Sequence, residues 1–245
     1  MADSEKRTYF GLHAEKLIFS VIMSVVVVIC GVLSAQIYYE VMLSVFSIVT
    51  IVYIVEGKLV GCVCGAVYCA ASAAISYSRQ LYGLMLFQIV FAVPLYIASI
   101  FTWKKNQNKS AVEVKRLPLG KLAFVITAAA AAYGGVFFLL KAIGSTNIPI
   151  DSLTLILSIS GMVLLSLRYI EQWYFNLAAN ISVVVLWAFK IAESLTNINF
   201  MIIAIISTGL NILGLVSWVK MREKDTDLGV SSGYINQERV NKNGI

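Results

Sequence analysis

Charged residues are scarce in this chain, and their scarcity excludes most soluble folds. Only 13% of its 245 residues are Asp, Glu, Lys or Arg, whereas 59% are hydrophobic and the mean hydropathy is +0.83. Soluble domains carry about 25% charged and 45–50% apolar residues. The chain therefore requires a lipid bilayer as its partner, and its net charge of +6 does not indicate a nucleic-acid partner.

Histidine and cysteine are also rare, which leaves little material for a metal centre or a catalytic pair. The single histidine, His13, lies in the polar N-terminal segment. The four cysteines, Cys30, Cys62, Cys64 and Cys69, all lie in apolar runs, where we expect them to be packing residues. We therefore predict no disulfide framework, no metal, no cofactor, no catalytic residue and no enzymatic activity.

Eight apolar segments are long enough, or nearly so, to span a bilayer, which takes about 20 residues. They occupy residues 17–38, 41–55, 59–77, 80–103, 122–143, 150–168, 172–190 and 198–219. We predict an all-α integral membrane protein with about eight transmembrane helices. The first segment could be a signal peptide, but its apolar stretch is longer than such peptides use, which favours an extra N-terminal helix.

Basic residues are concentrated between the fourth and fifth segments. Residues 104–121 contain six Lys and Arg residues and the single acid Glu113. The positive-inside rule places such a loop in the cytoplasm. With eight spans, both termini are then cytoplasmic as well, as the N-terminal segment 1–16 and a polar tail, 220–245.

An internal repeat connects the two halves of the chain. The run 97–105 recurs in chemical character at 212–220, an offset of 115 residues that also places Glu56 over Glu171. Each run ends with a small residue, a hydroxyl residue, Trp and then Lys, a pattern typical of a helix that leaves the membrane.

The repeat divides the chain into two three-helix units, residues 41–103 and 150–219. A basic loop and one linker helix, within residues 104–143, separate them. Because a single helix lies between the units, both must have the same orientation. We therefore predict a parallel repeat related by an axis along the membrane normal, as in SWEET-type carriers.

One helix of the second unit has a polar face. Spacings of three and four residues put Trp173, Asn176 and Asn180 on one side, whereas the offset partners Gly61 and Gly65 form a smooth face. A pocket between such faces suits a planar, hydrogen-bonding solute. Trp173 could instead be an interfacial residue, and the amides could only hold helices together.

Two more carboxamides complete the predicted substrate site. Gln88 and Asn211 belong to the third helices of the first and second units and would line one central site from both sides. Hydrogen bonds between packed helices are the alternative role for both residues.

Ionisable residues are missing from the middle of every predicted span. The charged residues closest to the spans, such as Glu56, Asp151 and Glu171, fall near segment ends. Proton relays and ion-coupled pumps usually carry such groups within the membrane. The sequence also lacks a Walker-type ATP loop. Facilitated diffusion is therefore the transport mode that the sequence favours.

The order of these residues resembles the PnuC family of bacterial nicotinamide riboside transporters. The similarity extends from about Val41 to Lys220. Its pieces are Leu81-Tyr82-Gly83 with Gln88, Val93-Pro94-Leu95, Trp103, Val114-Lys115-Arg116-Leu117, Pro149 with Asp151 and Ser158, Tyr169 to Trp173, Asn180, and Asn211 with Gly214 and Trp218. The chain departs from the family at Asn176, where a second tryptophan is common, and at Gly161-Met162, where a polar residue is common.

The resemblance implies a SWEET-like fold and uptake of nicotinamide riboside through a bacterial inner membrane without an energy source. It also implies a cytoplasmic kinase that traps the vitamin by phosphorylation, and a site built from the Trp and Asn residues of the helix 172–190. Relatives carry thiamine or riboflavin, so these cargoes are alternatives. A non-transporting receptor or scaffold is a more remote one, and a homo-oligomer is compatible with each.

Overall fold

Eight α-helices make up most of the part of the chain that the structure describes. The computed structural model describes residues 8–9, 12–33, 38–78, 85, 87–108, 111–142, 144, 147–193 and 198–242. The helices are α1 (Ala14–Leu33), α2 (Tyr38–Val55), α3 (Leu59–Ser78), α4 (Val93–Lys105), α5 (Leu119–Ala142), α6 (Ile148–Ser166), α7 (Gln172–Glu193) and α8 (Ile198–Lys242). Two short antiparallel ribbons pair β1 (Thr8–Tyr9) with β2 (Leu12–His13), and β3 (Gln107–Asn108) with β4 (Ala111–Val112).

The predicted all-α membrane fold is confirmed, and two helices differ from their predicted extent. Within the described residues, six helices are long and apolar enough to cross a membrane. They are α1, α2, α3, α5, α6 and the Met201–Glu223 part of α8. Among the described residues of the fourth segment, a π-helical turn, Gln88–Ala92, precedes α4, which carries Pro94 in its first turn. Proline has no N–H to donate to the preceding turn, which favours such an irregularity. The last helix continues into the polar tail, as far as Lys242.

The two three-helix units close into a ring. In the first unit α3 packs against α2 and α4, and in the second α7 packs against α6 and α8. Between the units, α2 packs against α8, and α4 against α6. Exchanging the units maps one of these interfaces onto the other, as a two-fold axis along the membrane normal requires. The parallel repeat is thus present in the packing.

The remaining helices, α1 and α5, lie outside the ring. Each packs against the first helix of the unit that follows it, since α1 contacts α2 and α5 contacts α6. No described residue of α5 is buried in the chain. Apolar side chains without protein neighbours are stable in lipid, so most of the α5 surface is suited to face the bilayer.

The turns that follow α2 and α6 have the same geometry. Gly57 and Arg168 stand two residues beyond their helix ends with φ of 66° and 67°. Their backbone N–H groups donate to the carbonyls of Ile54 and Leu165 at 2.9 and 3.0 Å. Such left-handed residues close helix ends and favour glycine, so Arg168 holds a conformation that is unfavourable for its side chain.

The basic loop joins these two turns. The backbone N–H of Val112 donates to the Gly57 carbonyl at 2.9 Å, and that of Lys115 donates to the Arg168 carbonyl at 2.9 Å. Val112, Val114 and Leu117 are buried. We call residues 112–117 the strap, because this extended segment is bonded to both units.

The repeated tryptophans meet at the centre of the ring. Trp103 and Trp218 are 1% and 0% exposed, and their ring centroids are 5.7 Å apart. The Trp103 indole N–H donates to the Leu165 carbonyl at 3.1 Å, and the Trp218 indole N–H donates to the Ile54 carbonyl at 2.9 Å. Each tryptophan thus bonds to the first helix of the other unit, and we call this pair the crossed indole bonds. The sequence pattern placed both residues where a helix leaves the membrane, and their rings face protein rather than lipid headgroups.

Candidate substrate site

The first turns of α7 bring polar side chains into the ring of helices. Gln172 begins the helix immediately after the turn that Arg168 closes, and Trp173, Asn176 and Asn180 follow at helical spacing. Trp173 and Gln172 are 2% and 0% exposed. Trp173, at the start of the predicted polar face, is therefore packed against other helices and not directed to lipid.

Trp173 lies against a glycine of α8. A Cβ atom built on Gly214 would overlap the indole ring, so this close approach requires glycine. The ring also meets Trp218 edge to face, with centroids 5.6 Å apart and planes at 84°. The Trp173 indole N–H is buried and has no hydrogen-bond partner among the described residues. These contacts favour a role inside the ring over an interfacial role.

Asn176 lies between α6 and α7. Its side-chain oxygen fits against Gly161, where a Cβ would overlap it, and its amide nitrogen donates to the Gln172 Oε1 at 3.4 Å. The two departures from the family pattern, at 161 and 176, are therefore in contact with each other. Asn180 donates its side-chain N–H to the Asn176 backbone carbonyl at 2.8 Å.

Asn211 belongs to the same group of residues. It is 5% exposed and lies one turn before Gly214 on α8, so it shares the face that receives Trp173. Its side-chain N–H donates to the Ser207 carbonyl at 2.7 Å. The structure thus brings α7 and α8 together at the predicted site.

Gln88 occupies a different position. It opens the π-helical turn, is 7% exposed, and donates to the Ser72 hydroxyl of α3 at 3.4 Å. It precedes Trp103 by 15 residues, whereas Asn211 precedes Trp218 by 7. At 1.5 Å per residue the two amides differ in depth by roughly 12 Å. They do not face each other at one level, and a place for Gln88 in the site stays a prediction.

Two further polar side chains were missed by the sequence analysis. The Gln172 Nε2 and the Thr154 Oγ1 are buried without a partner among the described residues. Gln172 could have been found from its spacing, because it precedes Asn176 by four residues on the same helix. Thr154 offered no such signal, since a single threonine in an apolar helix usually bonds to its own backbone.

Two grooves lie elsewhere in the described part of the protein. One of about 660 Å³ runs between α5, α6 and α7, and one of about 450 Å³ runs between α3 and the start of α4. Both are lined almost entirely by apolar side chains, and the first lies beneath α5, whose residues are not buried. Their lining suits lipid tails rather than a polar solute, so neither groove is the candidate site.

Two carboxylates attach the outer helices to the turns. The Glu56 carboxylate forms an ion pair with Lys16 Nζ, in the first turn of α1, and a hydrogen bond with His13 Nδ1, just before α1. Both distances are 2.9 Å. Burial raises the pKa of the Glu56 carboxyl, but Lys16 and His13 together lower it by more than burial raises it. The pKa therefore lies below its usual 4.5. Glu171 accepts the Leu117 backbone N–H at 3.0 Å, just before α5.

These contacts of Glu56 and Glu171 relate α1 to α5. Glu56 and Glu171 each follow the first helix of a unit, and each binds the segment that begins the preceding outer helix. The repeat predicted for three helices in each half therefore extends to four.

Comparisons with known proteins agree with this architecture. Residues 37–220 match the model of a family described as nicotinamide mononucleotide transporter. A nicotinamide riboside transporter PnuC of Neisseria mucosa is 27% identical over 187 residues, which span 73% of this chain and 70% of that protein. The PnuC of Haemophilus influenzae is 26% identical over 149 residues, or 58% of this chain and 65% of that protein.

A solved structure supports the fold. The crystal structure of the vitamin B3 transporter PnuC matches with a TM-score of 0.75 and 22% identity, over 88% of this chain and 95% of that chain. This likeness shows that the two chains share the ring of helices and their order.

Proposed function

The chain belongs to the nicotinamide mononucleotide transporter family, and from that premise we propose that it carries nicotinamide riboside across a bacterial inner membrane by facilitated diffusion. The observation that supports this cargo is Trp173, whose buried indole N–H has no partner among the described residues, on a helix face that also carries Asn176 and Asn180. An aromatic face attracts a flat cationic ring by about 0.5–2 kcal/mol. Carboxamides can pair with the nicotinamide amide and the ribose hydroxyls.

The charge distribution favours the riboside over its phosphorylated form. Helices α2, α3 and α6 contain no Lys, Arg or His. The cations of α4 are in its last turn, at Lys104 and Lys105. A phosphate carries about −1.5 to −2 charge at neutral pH and is costly to bury without a cation. A neutral ribose needs no such partner.

The crossed indole bonds suggest how access alternates. They join the two units at the end that carries the basic loop, which the positive-inside rule places in the cytoplasm together with both termini. In this state the two units are closed against each other at that end. We propose that the units rock apart there to release the vitamin, and that the strap follows the turns to which it is bonded.

Net uptake requires a further step, because facilitated diffusion alone only equalises concentrations. We propose that a cytoplasmic kinase phosphorylates the arriving riboside. The product carries charges that the candidate site does not neutralise, so it does not return. The kinase is a functional partner in this scheme and need not touch the transporter.

Uptake into proteoliposomes tests the proposal. Labelled nicotinamide riboside should enter without an ion gradient, and thiamine and riboflavin should compete weakly. Trp173→Ala and Asn180→Ala should each reduce uptake at least tenfold while the protein still reaches the membrane. Ser152→Ala serves as a control, since this buried hydroxyl only donates to the Ile148 carbonyl at 2.7 Å.

Several results would contradict the proposal. Preferred uptake of thiamine or riboflavin would change the cargo, and a required ion gradient would exclude facilitated diffusion. Absence of flux with every vitamin would favour a receptor or scaffold. Wild-type uptake by both alanine variants would show that the binding site lies elsewhere.

A further inference from the structure

Gln172 is the most deeply buried amide of the candidate site. It is 0% exposed at the first position of α7, directly before Trp173. A methionine of similar length would fill the same space without a polar group. Packing alone therefore does not account for an amide at this position.

The pairing of the Gln172 amide is incomplete. Its Oε1 accepts the Asn176 Nδ2 at 3.4 Å, a bond near the upper limit of length. Its Nε2 has no partner among the described residues. Most buried polar atoms in folded proteins are hydrogen-bonded, so a buried donor without a partner among the described residues is available to a bound ligand.

A second free donor lies on the neighbouring residue. The Trp173 Nε1 is also buried and unpaired among the described residues. Both donors are in the first turn of α7, where the helix dipole favours electron-rich groups. An acceptor oxygen is thus the chemical group that this end of α7 can bind.

We propose that Gln172 is a substrate-binding residue, whose Nε2 donates to an acceptor oxygen of the transported riboside while its Oε1 orients Asn176. This inference rests on the proposed function, because it assigns a contact within the same site. Two groups of the substrate have the required chemistry, the carboxamide oxygen and the ribose oxygens. Both can accept a hydrogen bond from a neutral amide.

The test compares affinity with stability. Calorimetry gives the Kd of purified wild type and Gln172→Met for nicotinamide riboside, and thermal unfolding gives the Tm of each protein. We expect the variant to bind about tenfold more weakly, because it loses the Nε2 donor to the riboside and the long bond that orients Asn176. Its Tm should stay within a few degrees of wild type or rise, because the substitution removes a buried unpaired donor and, within the described protein, only the 3.4 Å bond from Asn176. Ser152→Ala is the matched control and should change neither affinity nor Tm greatly.

The outcomes separate this inference from the proposed function. If wild type binds the riboside and Gln172→Met binds it equally well, Gln172 is not a binding residue. If the variant loses affinity together with a large fall in Tm or fails to fold, its role is structural and the inference is overturned. If wild type does not bind the riboside, the proposed function itself fails.

A second ligand identifies the acceptor. A pyridinium riboside without the carboxamide should bind wild type and Gln172→Met equally if the carboxamide oxygen is the partner. The tenfold difference should persist if a ribose oxygen is the partner. Either result supports the donor role and assigns its position.

Discussion

Removing the crossed indole bonds should open the transporter at the end that carries the basic loop, which we propose is cytoplasmic. The double substitution Trp103→Phe with Trp218→Phe keeps two aromatic rings but deletes both N–H donors. The carbonyls they leave, on Ile54 and Leu165, still accept the backbone N–H groups of the following turns. No buried carbonyl is therefore orphaned, and the change acts on the contact between units.

The size of the effect follows from two hydrogen bonds. Each is worth about 0.5–1.5 kcal/mol net, so the pair contributes about 1–3 kcal/mol to the closed state. That range corresponds to a shift of roughly 5- to 150-fold in the ratio of open to closed molecules. Each single variant should produce about half the free-energy change, if the symmetry of the two bonds extends to their strength.

A native cysteine reports the opening. Cys62 is 0% exposed and packs in the same buried cluster as Ile54 and Trp218. With the other three cysteines replaced by alanine, a maleimide added to inside-out vesicles should modify Cys62 slowly. The double variant should react roughly fivefold faster or more, since modification requires the open state.

The control and the refuting result are well defined. Trp187→Phe makes the same chemical change on α7, outside the cluster, and should leave the labelling rate of Cys62 unchanged. A double variant labelled within twofold of wild type would show that the indole bonds do not hold the units together. The proposed gate, by which we mean the crossed indole bonds that hold the two units closed at this end, would then have to be abandoned.

Two other perturbations test contacts near the site. Gly214→Ala should abolish riboside binding and lower the Tm by several degrees, because the new methyl group would overlap the Trp173 ring; unchanged binding in calorimetry would contradict this packing. Acidification should weaken the fold below about pH 4.5, since Glu56 has a lowered pKa and its contribution is lost as it becomes protonated. In unfolding measured at several pH values, Glu56→Gln should remove much of this pH dependence, and Lys16→Met should reduce it. If both variants keep the pH profile of wild type, Glu56 is not the group responsible.

The sequence was informative about architecture because hydropathy and duplication act over whole helices. Apolar length predicted the eight helices, and an offset of 115 residues predicted the parallel units. The offset does not hold everywhere. Ile54 and Leu165, which accept the crossed bonds, differ by 111, and the turn 56–58 is shorter than the turn 167–171. Such insertions are decided by local turn geometry, which a hydrophobic pattern does not record.

The site was harder to predict because hydropathy does not distinguish a lipid neighbour from a protein neighbour. Trp103 and Trp218 have the sequence features of membrane exits, yet their rings meet each other in the interior. The π-helical turn that begins at Gln88 lies just before Pro94, and a proline favours an irregular turn without specifying its form. By contrast, Trp173 and Asn176 were accessible to prediction, because helical periodicity alone puts them on one face.

The two units depart from symmetry where a polar solute could bind. In the first unit, the Tyr96 ring fits against Gly65 so closely that a Cβ would overlap it. Adding 115 to these numbers gives Asn211 and Asn180, two amides that donate only to carbonyls of their own helices, at 2.7 and 2.8 Å. The Tyr96 ring thus fills, in the first unit, the position that corresponds to Asn211 and Asn180 in the second unit. This asymmetry supports the proposal of one site per chain rather than two equivalent ones.

One residue of the proposed site is in direct contact with the gate. Trp173 contacts Trp218, whose indole N–H holds the opposite unit. A ligand that moves or orders the Trp173 ring therefore changes the stability of the closed state. By thermodynamic linkage, opening the gate must then change the affinity for that ligand by the same factor. Trp218→Phe should accordingly change the Kd for the riboside even though its lost N–H bonds to Ile54 and not to the site. Equal affinities in the two proteins would mean that binding and gating are independent.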